Sequence, residues 1–158
     1  MGQSLRIYYE KFVGRLERLQ GLFLLTLRLY WGWQFFQAGK GKLGDPAKVA
    51  GFFETLGIPF PHFNAILVGT VECFGGLLLL VGLGSRLVSI PLIITMIVAY
   101  LTAHVDAVKG IFQDPEAFTS QAPFLFLLAL LIVLIFGPGL ISMDEWIRRR
   151  ILNKGGKP

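Results

Sequence analysis

An acidic residue, Glu72, stands in the middle of an apolar run that extends from about residue 63 to 82. A run of this length can cross a bilayer, and a carboxylate at its centre costs about 3 kcal/mol unless a partner compensates it. Gly69 and Gly76 lie three residues before and four residues after it, so the three residues share one helical face. Small residues on that face let a second helix approach closely. We therefore expect Glu72 to face protein rather than lipid.

Arg28 is the second ionisable residue inside an apolar run, and it is the partner that we expect for Glu72. It lies seven residues from the start of the run 21–38, while Glu72 lies ten residues from the end of the run 63–82. At about 1.5 Å per residue, antiparallel helices would place the two within roughly 5 Å of the same depth, which an arginine side chain covers. The sequence therefore predicts a buried Arg28–Glu72 pair, which removes an isolated charge from each helix.

Alternatives to this pair stay open. Arg28 could extend to the near interface by itself, and an ion pair could serve helix packing alone. Buried ionisable groups in membrane proteins also often mark a functional site. Here that site could be a quinone headgroup site, a proton relay or a solute path.

A second polar group is expected where the first and third apolar runs end. It is made by Gln37 and Lys40 after the first run and by His104 and Asp106 after the third. Because a histidine beside a carboxylate can titrate near neutral pH, this predicted outer pocket would suit proton exchange with a reduced quinone. The same histidine could instead be a simple interfacial residue.

Metal and thiol chemistry are not predicted. The two histidines and the single cysteine form no spaced ligand motif, and one cysteine cannot make a disulfide within the chain. Cys73 follows Glu72 but points about 100° away around a helix, so we interpret it as a packing residue. Catalytic residues stay unassigned, and Arg28 and Glu72 are the candidates for contacting a bound quinone.

The composition predicts an all-α integral membrane protein. The 158 residues are 54% hydrophobic and 16% charged, against about 25% charged residues in soluble domains. The apolar runs predict a four-transmembrane-helix bundle over residues 21–146. Its spans are expected at about 21–38, 63–82, 87–104 and 122–137.

Amphipathic segments flank and connect these spans. Residues 1–20 carry apolar and basic positions at helical spacing, so we expect an amphipathic interfacial helix, or else a charged lead-in that fixes topology. Short interfacial helices are expected in the two long connections, because Asp45 and Asp114 each precede a proline, a helix-start signal. Residues 147–158 form a basic cytoplasmic tail.

Lysine and arginine residues are unevenly distributed about the spans. Ten lie in the N-terminal segment, the short loop at Arg86 and the tail, whereas four lie in the two long connections. The positive-inside rule then predicts a multi-pass membrane protein with both termini in the cytoplasm. The net charge is +5, but the basic residues flank apolar segments, so they indicate the lipid bilayer as the partner and not nucleic acid.

Several short motifs, taken in order, resemble the DoxX family of small four-helix membrane proteins. The resemblance extends over residues from about 20 to 146. The motifs are Arg28, Gly39-Lys40, Phe52-Phe53-Glu54-Thr55-Leu56-Gly57-Ile58-Pro59, Gly69-x-x-Glu72 with Gly75-Gly76, Gly82-Leu83-Gly84-Ser85-Arg86, Gly137-Pro138-Gly139 and Ser142-x-Asp144. Carried over position by position, the resemblance points to Arg28, Lys40, Glu72 and Arg86.

The resemblance implies a four-helix bundle in the cytoplasmic membrane. Some family members are linked to quinone reduction, including a subunit of a thiosulfate:quinone oxidoreductase. On this basis we expect a membrane subunit of a quinone-linked oxidoreductase, with quinone bound non-covalently and a soluble redox subunit as electron donor. Whether the chain is itself catalytic, and whether it forms a homo-oligomer, stays open.

Two other functions stay open beside this one. The first is a non-catalytic accessory protein that binds and stabilises a partner complex. The second is a small-solute permease, which the lack of a clear inverted repeat in the sequence makes less attractive.

Overall fold

The computed structural model describes residues 2–155, apart from the side chains of residues 2–5, 15, 17, 18 and 152–155. Within that range the chain is helical and contains no strand, which confirms the predicted all-α class. The helices in chain order are α1 (Gly2–Gly44), α2 (Pro46–Thr55), α3 (Pro61–Val81), α4 (Ser85–Ala103), α5 (Val105–Lys109), α6 (Pro115–Thr119), α7 (Ala122–Phe136) and α8 (Met143–Gly155). The last three residues of the predicted basic tail lie outside the described residues.

Two helices, α3 and α4, are long and apolar enough to cross a membrane. They contain 21 and 19 residues and overlap the predicted spans 63–82 and 87–104. The strongly apolar α7 has 15 residues. It is therefore about 22 Å long, which is shorter than a hydrocarbon core of about 30 Å. The four-span topology, including a crossing by α1, stays a prediction.

The first helix, α1, is continuous over 43 residues. The sequence interpretation had instead separated residues 1–20 from a first span that ended at residue 38. The glycines near the end of α1 do not interrupt it, because each costs only about 1 kcal/mol relative to alanine and this part packs along α3. The helix ends at Gly44, because Pro46, the first proline of the chain, disfavours helical geometry at the preceding residue, Asp45.

The two predicted helix starts in the long connections are confirmed. Oδ1 of Asp45 accepts a hydrogen bond from the backbone N–H of Lys48 at 3.0 Å, which caps α2. Oδ1 of Asp114 accepts one from the backbone N–H of Ala117 at 3.0 Å, which caps α6. Both helices begin with the proline that follows the aspartate, where a missing N–H costs least.

Glycines allow α1 and α3 to form the most closely packed pair of the bundle. The two helices run antiparallel, with Gly32 against Gly76 and Gly39 against Gly69. A Cβ added at Gly39 would lie 2.6 Å from the carbonyl oxygen of Gly69, and one added at Gly76 would lie 2.6 Å from that of Gly32. A side chain at either position would therefore force the backbones apart.

A second closely packed pair consists of α4 and α7, and it meets the first pair across a shared core. The buried core residues are Phe35, Leu79, Leu92, Met96, Leu130 and Val133. The contact between α3 and α4 is thinner than the contacts within either pair. We call the end of the bundle that carries α2, α5 and α6 the α2 end, and the end that carries the α3–α4 turn and residues 137–142 the Arg28 end.

Candidate ligand-binding site

Glu72 is buried within α3, as its position among small residues predicts. Its Oε2 forms an ion pair with Nζ of Lys42, which lies near the end of α1. Gly69 makes the approach possible, since a Cβ there would lie only 3.2 Å from Cβ of Lys42. The Lys42 side chain is 28% exposed and that of Glu72 is 3% exposed, so the pair is accessible from the lysine side.

The predicted Arg28–Glu72 pair is not formed, because the two residues lie at different depths. The antiparallel register sets Glu72 near the level of Gly39 and Arg28 at the level of Gly82. Gly82 is ten residues from Glu72, which separates the two charged groups by about 15 Å along the helix axes. The sequence estimate had assumed that residue 21, where the first apolar run begins, lies level with the end of α3. In the structure α1 begins at Gly2, and the residue level with the end of α3 is Arg28.

Lys42 is the residue that the sequence interpretation missed. It had been assigned to a break after the first span, whereas the continuous α1 keeps it on the same face as Phe35 and Gly39. The signal that could have found it is the absence of any proline before Pro46, which allows the helix to continue.

The Lys42–Glu72 pair lines a cavity of about 820 Å³ at the α2 end, between the two helix pairs. Its walls come from α1, α2, α3, α4 and the start of α7, and they are mainly aliphatic and aromatic. The aromatic residues of the wall include Phe35, Phe53 and Phe126. A largely apolar cavity of this size with a few polar groups is typical of a small-molecule site.

Most of the other polar side chains in this wall already donate hydrogen bonds to nearby backbone carbonyl groups. The hydroxyl groups of Thr95 and Thr102 donate to the carbonyl oxygens of Leu92 and Val98, at 2.7 and 2.8 Å. The side-chain amide of Asn64 donates to the carbonyl oxygen of Pro59 at 2.7 Å. The charged pair is therefore the main polar feature that the wall offers to a ligand.

The structure brings one of the four residues of the predicted outer pocket to this cavity. His104 lines it and lies edge-on to the ring of Tyr100, with the ring centroids 6.1 Å apart. Gln37, Lys40 and Asp106 are exposed and do not form its wall. His104 ends α4 beside the cavity, whereas Gln37 and Lys40 lie on the exposed side of α1.

Arg28 belongs to a different polar cluster, at the opposite end. Its Nη2 donates to the carbonyl oxygen of Ile141 at 2.6 Å, and its guanidinium packs against Gly82. Asp144 accepts hydrogen bonds from the backbone N–H groups of Gly84 and Ser85 at 2.7 and 3.1 Å. These bonds fasten α1, the start of α4 and the start of α8 to one another. Several motifs behind the family resemblance therefore meet in this cluster.

Comparison with known proteins assigns the chain to a family. The profile of the DoxX family matches residues 23–105. An uncharacterized membrane protein of Mycobacterium tuberculosis, Rv3486, is 33% identical over 141 residues, which cover 85% of this chain and 86% of that protein. A Bacillus subtilis protein named "Putative oxidoreductase CatD" is 27% identical over 123 residues, 78% of this chain and 85% of its own length.

A further relative has no described activity. It is an uncharacterized protein of Haemophilus influenzae that is 29% identical over 134 residues, 84% of this chain and 96% of that protein. No solved structure matches the chain. The match to the family profile covers more than half of the chain, and the first relative is similar over most of its length. The chain therefore belongs to the DoxX family of membrane proteins.

Proposed function

We propose that this chain is the membrane subunit of a quinone-linked oxidoreductase system and that its α2-end cavity binds the quinone. The observation that supports this most is the Lys42–Glu72 pair in the wall of an otherwise largely apolar cavity. A quinone needs both features, because its ring and tail are apolar while its two ring oxygens accept hydrogen bonds. The printed name of the Bacillus subtilis relative, "Putative oxidoreductase CatD", agrees with this class of reaction.

The residues of the cavity suit the proton and hydrogen-bond steps of quinone reduction. Lys42 would donate a hydrogen bond to one ring oxygen, and the aromatic wall residues would contact the ring face. Reduction to the quinol takes two electrons and two protons. Glu72 and His104, which both line the cavity, would exchange those protons. The electrons would come from a soluble partner subunit.

The membrane placement in this proposal follows the charge distribution. Both termini and the Arg28 end would face the cytoplasm across an inner membrane, because ten of the lysine and arginine residues lie on that side. The α2 end, with the cavity, would then lie toward the outer side. Four helices, α1, α3, α4 and α7, would form the transmembrane bundle.

The test is the quinone content of the protein in detergent-free nanodiscs at matched lipid composition. We expect wild-type protein to hold quinone above the level of the bulk lipid. Lys42→Met, which removes the proposed hydrogen-bond donor, should lose at least about tenfold in retention, since a ligand contact of this kind is worth about 1.4 kcal/mol or more. A second variant, Ala99→Phe, fills the cavity without changing a charge. Ile97→Phe is its matched control, because Ile97 lies on the same helix but faces outward.

Quinone at bulk level in the wild-type protein would contradict the proposal. Equal quinone retention by Ala99→Phe and Ile97→Phe would show that any bound quinone lies elsewhere.

A non-catalytic accessory role is the second candidate, and one observation favours it. Large apolar side chains are exposed along the first part of α1, among them Tyr8, Tyr9 and Phe12. A helix that carries such a surface beyond the packed bundle could dock on a partner protein. This role predicts no quinone enrichment in any variant, together with loss of the partner complex when Tyr8, Tyr9 and Phe12 are changed to serine.

A further inference from the structure

A second large cavity, of about 850 Å³, lies at the Arg28 end and is distinct from the proposed quinone cavity. Its wall is made by α1, the start of α4, residues 136–140 and the start of α8. One part of the wall is apolar and contains Leu24, Phe136 and Leu140. The other part is charged and contains Arg86 and Arg148 together with the carboxylates Asp144 and Glu145. The cavity therefore offers hydrocarbon surface beside a charged surface, and the partners of each charge decide what that surface can bind.

Arg86 is held in place over the turn that follows α7. Its Nη2 donates to the carbonyl oxygen of Ile135 at 3.1 Å, and a Cβ at Gly137 would lie 3.3 Å from both Nε and Nη2. A backbone carbonyl orients the guanidinium but does not neutralise its charge, and the group has further N–H donors. Among the described residues, no carboxylate forms an ion pair with Arg86.

The other charged side chains of this wall already have hydrogen-bond partners within the protein. Arg148 is engaged by Glu145 through two hydrogen bonds, of 2.7 and 2.9 Å. Asp144 directs both carboxylate oxygens to backbone N–H groups at the start of α4. Arg86 is therefore the cation of this wall that stays available for an anion.

Arg28 adds positive charge immediately behind the same wall. It follows Gly21 and Leu24, two residues of the wall, at helical spacing on α1. It is 1% exposed, and its Nε and Nη1 have no hydrogen-bond partner among the described groups. Arg86 thus faces the cavity and Arg28 lies behind its wall, and among the described residues neither forms an ion pair. The carboxylate of Asp144 lies near Arg28 but is held by the backbone N–H groups of Gly84 and Ser85.

We propose that this cavity binds the phosphate group of an anionic phospholipid, with Arg86 as its main ligand. Arginine pairs with phosphate through two parallel hydrogen bonds, and basic pockets between transmembrane helices are suited to lipid headgroups. The acyl chains would lie along the exposed apolar side chains next to the cavity, Leu87, Phe136 and Leu140. A soluble anion would gain nothing from that hydrocarbon surface, which is why a lipid fits better.

The test is lipid binding to the purified protein, measured by native mass spectrometry in a neutral detergent. We expect phosphatidylglycerol to bind at least about tenfold more tightly than phosphatidylcholine, and Arg86→Gln to remove that preference. Arg86→Lys should keep part of it, since the charge remains and the planar fork is lost. Lys109→Gln, which removes a cation at the opposite end, is the matched control and should bind as wild type does.

A second variant keeps the proposal testable if Arg86→Gln does not fold. Gln20→Trp narrows the cavity from α1 without changing a charge, and it should also weaken phosphatidylglycerol binding. Equal binding of the two lipids to wild-type protein would overturn the proposal, as would unchanged preference in both variants. Displacement of the lipid by millimolar inorganic phosphate would assign the site to a soluble anion instead.

Discussion

Glu72 and Arg28 are both buried charged residues in helices of one small bundle, yet the structure uses them differently. Glu72 is ion-paired with Lys42 and lines a cavity large enough for a ligand. Arg28 bonds to the carbonyl oxygen of Ile141 and packs against Gly82 where helices meet. A buried charge in a membrane protein is therefore not by itself the sign of a functional site, because what the charged group faces decides its role.

The chemistry of the two side chains explains the difference. A guanidinium carries only N–H donors, so backbone carbonyl oxygens exposed where helices end can hold it in place. A carboxylate carries only acceptors when it is ionised, and the backbone N–H groups in the middle of a helix are already used. Glu72 therefore needs a donor from another helix, and Lys42 supplies it from a partly exposed position.

The largest loss of stability is expected from Gly82→Leu, at the Arg28 end. Gly82 has φ +72°, and the space where its Cβ would lie is occupied by the Arg28 guanidinium. We expect a loss of about 4 kcal/mol in unfolding free energy, from about 1 kcal/mol of backbone strain and about 3 kcal/mol of overpacking. Chemical unfolding in detergent micelles measures it.

The control for this change is Gly84→Leu. Gly84 has φ +59° but nothing lies within 4 Å of its Cβ position, so it should lose only the strain, about 1 kcal/mol. Equal losses for the two variants would show that Arg28 does not hold this end together.

Breaking the Lys42–Glu72 pair should have an intermediate effect that depends on which partner is removed. Lys42→Met leaves a buried carboxylate alone and should cost about 3 kcal/mol. Glu72→Gln leaves a partly exposed ammonium that water can reach, and it should cost about 1 kcal/mol. The double variant should recover at least about 1 kcal/mol of the summed loss, as a double-mutant cycle measures. Additive losses would argue against the pair.

Asp144→Asn should weaken the Arg28 end by a smaller amount, about 1 to 2 kcal/mol. The change removes the charge that caps the start of α4 through the N–H groups of Gly84 and Ser85. Thermal unfolding followed by circular dichroism measures it. Because Asp144 lies away from the α2-end cavity, the quinone content of this variant should stay at the wild-type level. A lower quinone content would show that the two ends of the bundle are coupled.

Glu145, at the start of α8, provides a second ion-paired carboxylate to compare with Glu72, and its contribution to stability should be the smallest. Hydrogen bonds from Arg148 and Arg149 lower the pKa of Glu145 from 4.5 to about 2. Because the folded-state pKa is depressed, the stabilisation is present above pH 4.5 and is lost as the pH falls toward 2. A carboxyl carbon NMR titration should give a midpoint near 2, and Arg148→Gln with Arg149→Gln should return it toward 4.5.

The local features of the fold could be predicted from the sequence, whereas the relative depth of the helices could not. The starts of α2 and α6 follow from aspartate–proline pairs, and α3 and α4 follow from apolar runs of sufficient length. The burial of Glu72 follows from its small neighbours on one helical face. Each of these rests on residues that are close in the chain.

The partner of Glu72 rests instead on the register between α1 and α3. That register is set by which glycines meet, and the sequence alone does not say that Gly39 lies against Gly69 while Gly32 lies against Gly76. The expected difference in depth between Arg28 and Glu72 was three residues and the observed one is ten, so an error of about seven residues was enough to exchange Lys42 for Arg28. The two cavities were also not predictable, since their walls combine side chains from four or more segments.

The glycine contacts between α1 and α3 also determine where the bundle can change shape. Two helices whose backbones touch at Gly39 and Gly76 cannot slide or separate without losing that fit, so they behave as one rigid frame. The packing between the two helix pairs is thinner, at both the α3–α4 and the α1–α7 contacts, so we expect any change of shape to occur there. If the α2-end cavity binds the proposed quinone, we expect the bound molecule to shift α4 and α7 relative to α1 and α3, while Lys42 and Glu72 keep their positions on the first helix pair.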